Sequence, residues 1–433
     1  MERRRFLGLA AATGLVGGSA LTAAGCTIGT TTESVGLNMV AADYGSPGGG
    51  DSSQVYWDEV VRDFQQKHPG ITVDVTVHDW KDVDRKVAEM VKAGRAPDIA
   101  QMGSYAGFAA QGELYTADEL LSIPVQADFL PGLAQAGKVK RVQYGMPFAA
   151  STRVLFYNKS LFAKARLDPA APPVNWKQLA RAAARLKAAG VKIPYGLPLG
   201  PEEAPAEALM WMLGGGGAYT DRVGTYTIDA AANVRTFNWL RDNLVRTKLT
   251  NSAPGSTDRQ DLFDAFVRGE VGMLNGHPTL MKQAAKGKVK YGTAVLPGAR
   301  GPSGGTLGVT DWVMAFKQNG RREQAGAFLD FVFSEKNHYA FADRYDLLPV
   351  TTSANERMRD EPGHKALRRF QDQLSSSEFY PLGNVSWSEV SAEIKRSIGN
   401  VVEGGFEPAD VLGGIQRKAE EAESAAVSVG RRR

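Results

Sequence analysis

A single cysteine, Cys26, stands among 433 residues. It excludes an intrachain disulfide and any metal or redox centre built on paired thiols. Histidine is sparse too, and His68, His78, His277, His338 and His364 share no metal-ligand spacing. There is no G-x-S-x-G nucleophile elbow and no G-x-x-x-x-G-K-[ST] phosphate loop, and the G-x-G-x-x-G that can be drawn at Gly214–Gly217 is too weak to use. Carboxylate pairs such as Glu202/Glu203 and Glu420/Glu421 fall in helical, solvent-facing patterns, and nothing selects a pair of acids for glycoside cleavage. The chain therefore reads as a non-enzyme that needs no cofactor and no metal. A large charge of one sign is missing as well. The net charge is +4, of which Glu2 to Arg5 supply +2 and Arg431–Arg433 supply +3, leaving a body near −1. That balance gives no argument for nucleic acid as a partner.

Long hydrophobic runs are absent, and the first 25 residues are the nearest approach to one. Basic Arg3-Arg4-Arg5 precede a weakly apolar, Gly/Ala-rich stretch from Phe6 to Ala24. That stretch is too poor in large apolar residues for a span of roughly 20 residues. It ends at Leu21-Thr22-Ala23-Ala24-Gly25-Cys26, which reads as a bacterial lipobox, although Ala23 stands where Leu is usual. Residues 1–25 are then a lipoprotein signal peptide, with Cys26 lipidated and the mature chain tethered to the extracytoplasmic face of the cell membrane. Arg3 to Leu7 also fit the twin-arginine pattern R-R-x-F-L; an ordinary basic leader for general secretion is the other reading.

What is present is an ordinary globular balance, 43% hydrophobic and 23% charged. About 400 residues after a leader exceed what one core organises, so two lobes are expected. After a tether over residues 26–35, the chain alternates strand and helix. Val35–Ala42 reads as a strand, Val55–Lys67 as a helix, Ile71–Val77 as a strand with alternating Ile71, Val73, Val75 and Val77, Val83–Ala93 as a helix and Pro97–Ala100 as a strand. This rhythm predicts parallel βαβ units and an α/β lobe. Farther on, strands are expected at Val142–Pro147, Arg153–Tyr157, Val271–Leu274, Tyr291–Leu296 and Leu307–Phe316. Helices are expected at Trp176–Ala189, Glu203–Leu213, Val234–Thr247, Asp258–Arg268 and Arg321–Phe333. Asn337 to Ala422 reads as mostly helical, and residues 424–433 as a polar tail.

Aromatic and polar residues collect at strand ends and loops: Tyr44, Asp79, Trp80, Tyr105, Ser151, Trp211, Trp312, Tyr345 and Trp387. In open α/β sheets the crevice beyond the carboxyl ends of the strands is the natural ligand site. Aromatic faces suit the C–H-rich faces of sugar rings, while Asp, Asn and Ser exchange hydrogen bonds with hydroxyls. Trp57, Trp176 and Trp239 sit among apolar residues and are assigned to the core.

Several segments, in order, resemble the family 1 extracellular solute-binding proteins of bacterial ABC importers, the maltose-binding-protein-like group. They are Pro97-Asp98-Ile99 with Gln111–Leu114 and Leu120-Leu121; Tyr144-Gly145-Met146-Pro147 followed by Phe156–Lys159; and Asn175-Trp176-Lys177-Gln178-Leu179, where Asn and Gln replace the commoner Thr and Glu. Gly269–Met273, Tyr291–Pro297, Gly304-Gly305 with Leu307–Phe316, Ala325–Phe333 and Leu348-Pro349-Val350 complete the series, which covers residues 36–420.

The resemblance implies a two-lobed, periplasmic-binding-protein-like α/β fold of type II with the ligand cleft between the lobes. One lobe would comprise residues 36–147 plus 296–343, the other 150–290 plus 346–420, with crossings near Pro147–Ser151, Leu296 and Tyr345. It implies a monomer that binds a carbohydrate and hands it to the transmembrane subunits of an ABC permease. The candidate contacts it suggests are Asp79 and Trp80 after the second strand, Ser151 after Pro147, and Trp211 with Glu207 on the helix before the glycine run. Asn275 and His277 follow, where Pro278 stands in place of a commoner aromatic, then Gly304 and Gly305, Asp311 and Trp312, Tyr345, and Trp387 at a helix start. Rival ligands are glycerol phosphate or a polyamine; a phosphate would want an Arg, and Arg153 is the only basic residue near a crossing. A lipid-anchored glycan hydrolase and an adhesion lipoprotein are the rivals outside small-solute binding.

Overall fold

The computed structural model describes residues 34–45 and 49–431. The leader, the lipobox at Cys26 and most of the tether lie outside the described residues. Two main sheets use strands β1 (Val35–Ala42), β2 (Ile71–His78), β3 (Ile99–Met102), β4 (Met146–Ser151), β5 (Val154–Asn158), β6 (Ile193–Gly196), β7 (Val271–Gly276), β8 (Tyr291–Ala294) and β9 (Val309–Ala315). The first sheet has the order β2-β1-β3-β9-β4, the second β8-β5-β7-β6. β1 pairs parallel with β2 and β3, as the βαβ rhythm predicts, while β9 returns antiparallel between β3 and β4. The result is the mixed α/β, two-lobed architecture expected from the sequence, one lobe on each sheet.

The local reasons are ordinary. Helix α1 (Ser53–Lys67) starts at Ser52, whose side chain accepts from the Gln54 N–H, and it buries Tyr56, Trp57, Val60 and Phe64. Trp57 stacks on Phe148 of β4, with centroids 5.5 Å apart, so α1 is riveted to the first sheet. Fully burying a side chain such as Phe64 stabilises by about 2–3 kcal/mol. On β2, Val73 and Val75 are buried and Asp74 and Thr76 exposed, as period-2 alternation requires. In the second lobe, α2 (Trp176–Ala188) is capped by Asn175, which accepts from the Gln178 N–H at 2.9 Å, and it buries Trp176, Leu179, Ala182, Ala183 and Leu186.

Several segments differ from expectation. Val142–Pro147 splits into a two-residue strand, Val142–Gln143, and β4, which runs on to Ser151. The strand expected over Leu307–Phe316 is interrupted at Gly308, where a Cβ would sit 2.6 Å from the Phe379 ring; Thr306–Leu307 instead pair in parallel with Ser377–Glu378. Within the stretch read as helical, residues 377–386 are non-helical, extended over 377–381 and turning over 382–386. Two segments also have neighbours other than those expected. Residues 297–299 stay with the second lobe, where Trp176 N–H donates to Gly298 O at 2.9 Å and Ala299 N–H to Gly214 O at 2.8 Å. Residues 348–353 pair with first-lobe backbone and side chains, Leu348 with Ala150 and Ser353 N–H with Asp128. The last helix, Pro408–Arg431, extends into the segment read as a polar tail. No described helix is long and apolar enough to cross a membrane.

Candidate functional site

β1, β2 and β3 run parallel, so their carboxyl ends share one edge of the first sheet. Tyr44, Trp80 and Gly103 follow those three ends. β4 ends at the same edge with Ser151, and antiparallel β9 begins there with Val309, Thr310 and Asp311. Together these residues form one wall of a cavity of about 370 Å³. Phe379, Tyr380 and Leu382, from the loop after the Ser377–Glu378 pairing, form the facing wall. Trp80 is the most open aromatic, 36% exposed, and meets Tyr44 edge-on at 5.3 Å. Tyr380 stacks on Trp387, centroids 5.2 Å apart and 27° between planes.

The floor of the first wall is polar and closely determined. Asp311 accepts from the Ala149 N–H at 2.9 Å and from Gln101 Nε2, and Gln101 in turn accepts from the Ala42 N–H at 2.8 Å. Burial pushes the Asp311 carboxyl up to about 7, against the opposing pull of these donors and of the Tyr44 hydroxyl. Burial and the same hydrogen bond to Asp311 hold the Tyr44 phenol well above its usual range. Tyr44 also lines a second cavity of about 610 Å³, together with Asp51, Lys282, Arg344, Tyr345 and Asp346 among others. The cations there are paired, Lys282 with Asp346 and Arg344 with Glu59 at 2.7 Å.

Behind the cleft, in the second lobe, lies a second buried acid. Glu207 Oε1 accepts from Trp211 Nε1 at 2.8 Å, from Asn275 Nδ2 at 3.0 Å and from the Tyr195 hydroxyl at 3.4 Å. Burial, with nearby Glu203, pushes its carboxyl up to about 8 despite the donors. Beside it, Arg153 bonds Ser151 Oγ at 3.1 Å and pairs with Glu203 at 2.6 Å, its side chain only 6% exposed. Arg259 pairs with both Glu202 and Glu203. Burial alone would raise Glu203, but the Arg153 and Arg259 guanidiniums hold it below the ordinary carboxylate range. Burial and Arg153 push His277 down to about 3, so it is neutral at physiological pH.

The candidates from sequence therefore separate. Trp80, Ser151 and Asp311 converge on the first cavity, and Tyr345 lines the second. Trp211, Asn275 and Glu207 form the network behind the second wall. Trp387 is 7% exposed and supports Tyr380 from behind, touching Tyr219 as well. Trp312 is fully buried against Tyr105, 4.9 Å away, on the sheet face opposite Asp311. Asp79 turns the chain into the next helix, accepting from the Lys81 N–H at 2.8 Å. Gly305 is buried beside the Ser376 backbone, with Gly304 exposed next to it. The residues that sequence reasoning missed include Phe379, Tyr380 and Leu382 on the facing wall, and Thr310 and Leu347. Among the described residues no cluster of His, Cys, Asp and Glu could hold a metal ion.

A family model described as bacterial extracellular solute-binding protein matches residues 50–339. A binding protein of Brucella abortus (strain 2308) is 28% identical over 394 residues, 89% of this chain and 92% of its own. The sn-glycerol-3-phosphate-binding periplasmic protein of Salmonella typhimurium is 28% identical over 242 residues, half of each chain. Among solved structures, the cyclic alpha-maltosyl-1,6-maltose binding protein from Arthrobacter globiformis superposes with a TM-score of 0.77 at 17% identity, over 90% of this chain and 99% of that one. The sugar-binding protein from Xanthomonas citri gives 0.76 at 19% identity, over 92% and 100%.

Proposed function

The chain belongs to the bacterial extracellular solute-binding proteins, and from that premise we propose that it binds a neutral sugar or short oligosaccharide in the aromatic cavity and passes it unchanged to an ABC permease. The observation that carries this reading is the composition of the cavity wall. Trp80, Tyr44, Phe379 and Tyr380 offer flat apolar faces, while Ser151, Thr310 and Asp311 offer directional hydrogen bonds. Structural neighbours that bind maltosyl sugars support it. A ligand touching both walls favours the closed arrangement by its differential affinity for it, and a permease then distinguishes loaded from empty protein. The chain passes between the two main sheets at 152–153 and again between β8 and β9. Cys26 anchors the monomeric chain to the extracytoplasmic face of the cell membrane through its lipid.

A phosphate ligand is the second reading, favoured by the glycerol-phosphate-binding relatives. Against it, the guanidinium nearest the cavity, Arg153, is already committed to Glu203. A phosphate would have to displace that carboxylate and leave it with Arg259 alone.

One titration separates these readings. The purified chain is mixed with a panel of mono- and oligosaccharides, sn-glycerol-3-phosphate and polyamines, and Trp fluorescence, melting temperature and product formation are followed. Saturable binding of a sugar with the sugar recovered intact is the expected result. A response to glycerol phosphate alone would replace the sugar reading, and turnover of a glycan would replace the transport reading altogether.

A further inference from the structure

We propose that Tyr44 is a fixed partition that sets ligand length: it closes one end of the aromatic cavity, which then takes a mono- or disaccharide, and bars a longer chain from the charged cavity beyond. The inference rests on the sugar reading of the first cavity. Among the described residues, Tyr44 is the one that lines both cavities. Its ring is held from several sides, edge-on by Trp80 and by Phe341, each at 5.3 Å, and tilted against Tyr345 at 5.8 Å. Its hydroxyl lies beside the Asp311 carboxyl and its N–H donates to Ser53 Oγ at 2.8 Å. The loop that carries it is tied down by Asp43, which accepts from the Ser52 hydroxyl at 2.7 Å, the Ser53 N–H at 2.8 Å and the Gly45 N–H at 3.0 Å. Each tie restricts a rotation, so the ring acts as a wall and not as a swinging gate.

The volumes and the chemistry agree with this division. The first cavity, about 370 Å³, lies at the small end of the range of roughly 300–1,000 Å³ for small-molecule sites. The second, about 610 Å³, would add the room an oligosaccharide needs, but only if the ring were absent. Its walls carry the Lys282–Asp346 pair and Arg344, so it offers a sugar fewer aromatic faces than the first.

The test uses the full chain, its Tyr44→Ala and Tyr44→Phe variants, and ladders of gluco-, galacto-, manno- and xylo-oligosaccharides from single sugars to hexasaccharides. Calorimetry reads affinity, and melting curves show that each variant is folded. In the wild type, affinity should level off or fall beyond the disaccharide. Tyr44→Ala should gain about tenfold or more from disaccharide to tetrasaccharide, while Tyr44→Phe, which keeps the ring, should keep the wild-type length profile whatever its absolute affinities. A wild type that already gains steadily with length, or a folded Tyr44→Ala with an unchanged profile, would overturn the proposal. A wild type that binds no sugar in any ladder refutes the sugar reading itself, and this proposal with it.

Discussion

The two walls of the cleft are built on different plans. On the first, the working groups stand at the surface: Trp80 is open, and the buried acid, Asp311, lies directly beneath the cavity with its donors. On the second, comparable groups stand one layer back. Trp387 lies under Tyr380, and the buried acid, Glu207, gathers Trp211, Asn275 and Tyr195 out of reach of the main cavity. An indole or a buried carboxylate thus has two separable placements here, at the cavity wall or one layer behind the residues that line it. Burial and partners decide between them, not residue type.

Exchanging surface for support should show up as a change in which observable moves. The largest effect is expected for Trp387→Ala, which removes a buried indole and should cost about 3–5 kcal/mol of stability in chemical denaturation, with lost sugar affinity following from a loosened Tyr380. A variant of unchanged stability that has lost affinity would put Trp387 in the surface class. Glu207→Ala comes next. It strands three donors in the second lobe and should cost roughly 1–3 kcal/mol, while the folded protein keeps most of its affinity. Trp80→Ala is the mirror case. Calorimetry should show binding weakened by about 1–2 kcal/mol with the ligand-free melting temperature almost unmoved, because the side chain is partly exposed already.

The subtlest effect is a slope. Asp311 at about 7 and Glu207 at about 8 hold protons more tightly in the folded chain than in the unfolded one, where carboxyls titrate near their usual values. The unfolded state therefore binds fewer protons between those limits, and stability should fall as pH rises from about 4 through 7 and 8. Asp311→Asn or Glu207→Gln should flatten that fall in melting temperatures taken from pH 5 to 8, each removing its own share. A slope unchanged in both would show that neither acid holds its proton.

Much of this was legible in the sequence. The alternation from Ile71 to Val77 and the helix that follows it placed Trp80 at a strand's carboxyl end, and Ser151 and Asp311 were read from positions that reach the same edge. The pairing of Asp311 with Trp312 as joint ligand contacts was avoidable. Neighbours on a strand point to opposite faces, so one of the two had to turn away. Tyr380 and Phe379 were not legible, since they lie in a loop with no periodic signal. That loop is positioned by a two-residue pairing with Thr306–Leu307, about 70 residues earlier in the chain. The support roles of Trp387 and Trp211 depend on which ring covers which, and that is decided only when distant segments meet.

The Arg153–Glu203 pair has an evolutionary consequence. On the proposed sugar reading, discrimination against anionic cargo would be lodged in a carboxylate that lines no part of the aromatic cavity, because Glu203 keeps the Arg153 guanidinium occupied. A descendant that lost this one acid would present a spare positive charge beside Ser151. It could drift from neutral to phosphorylated nutrients with every sugar-facing side chain left as it is.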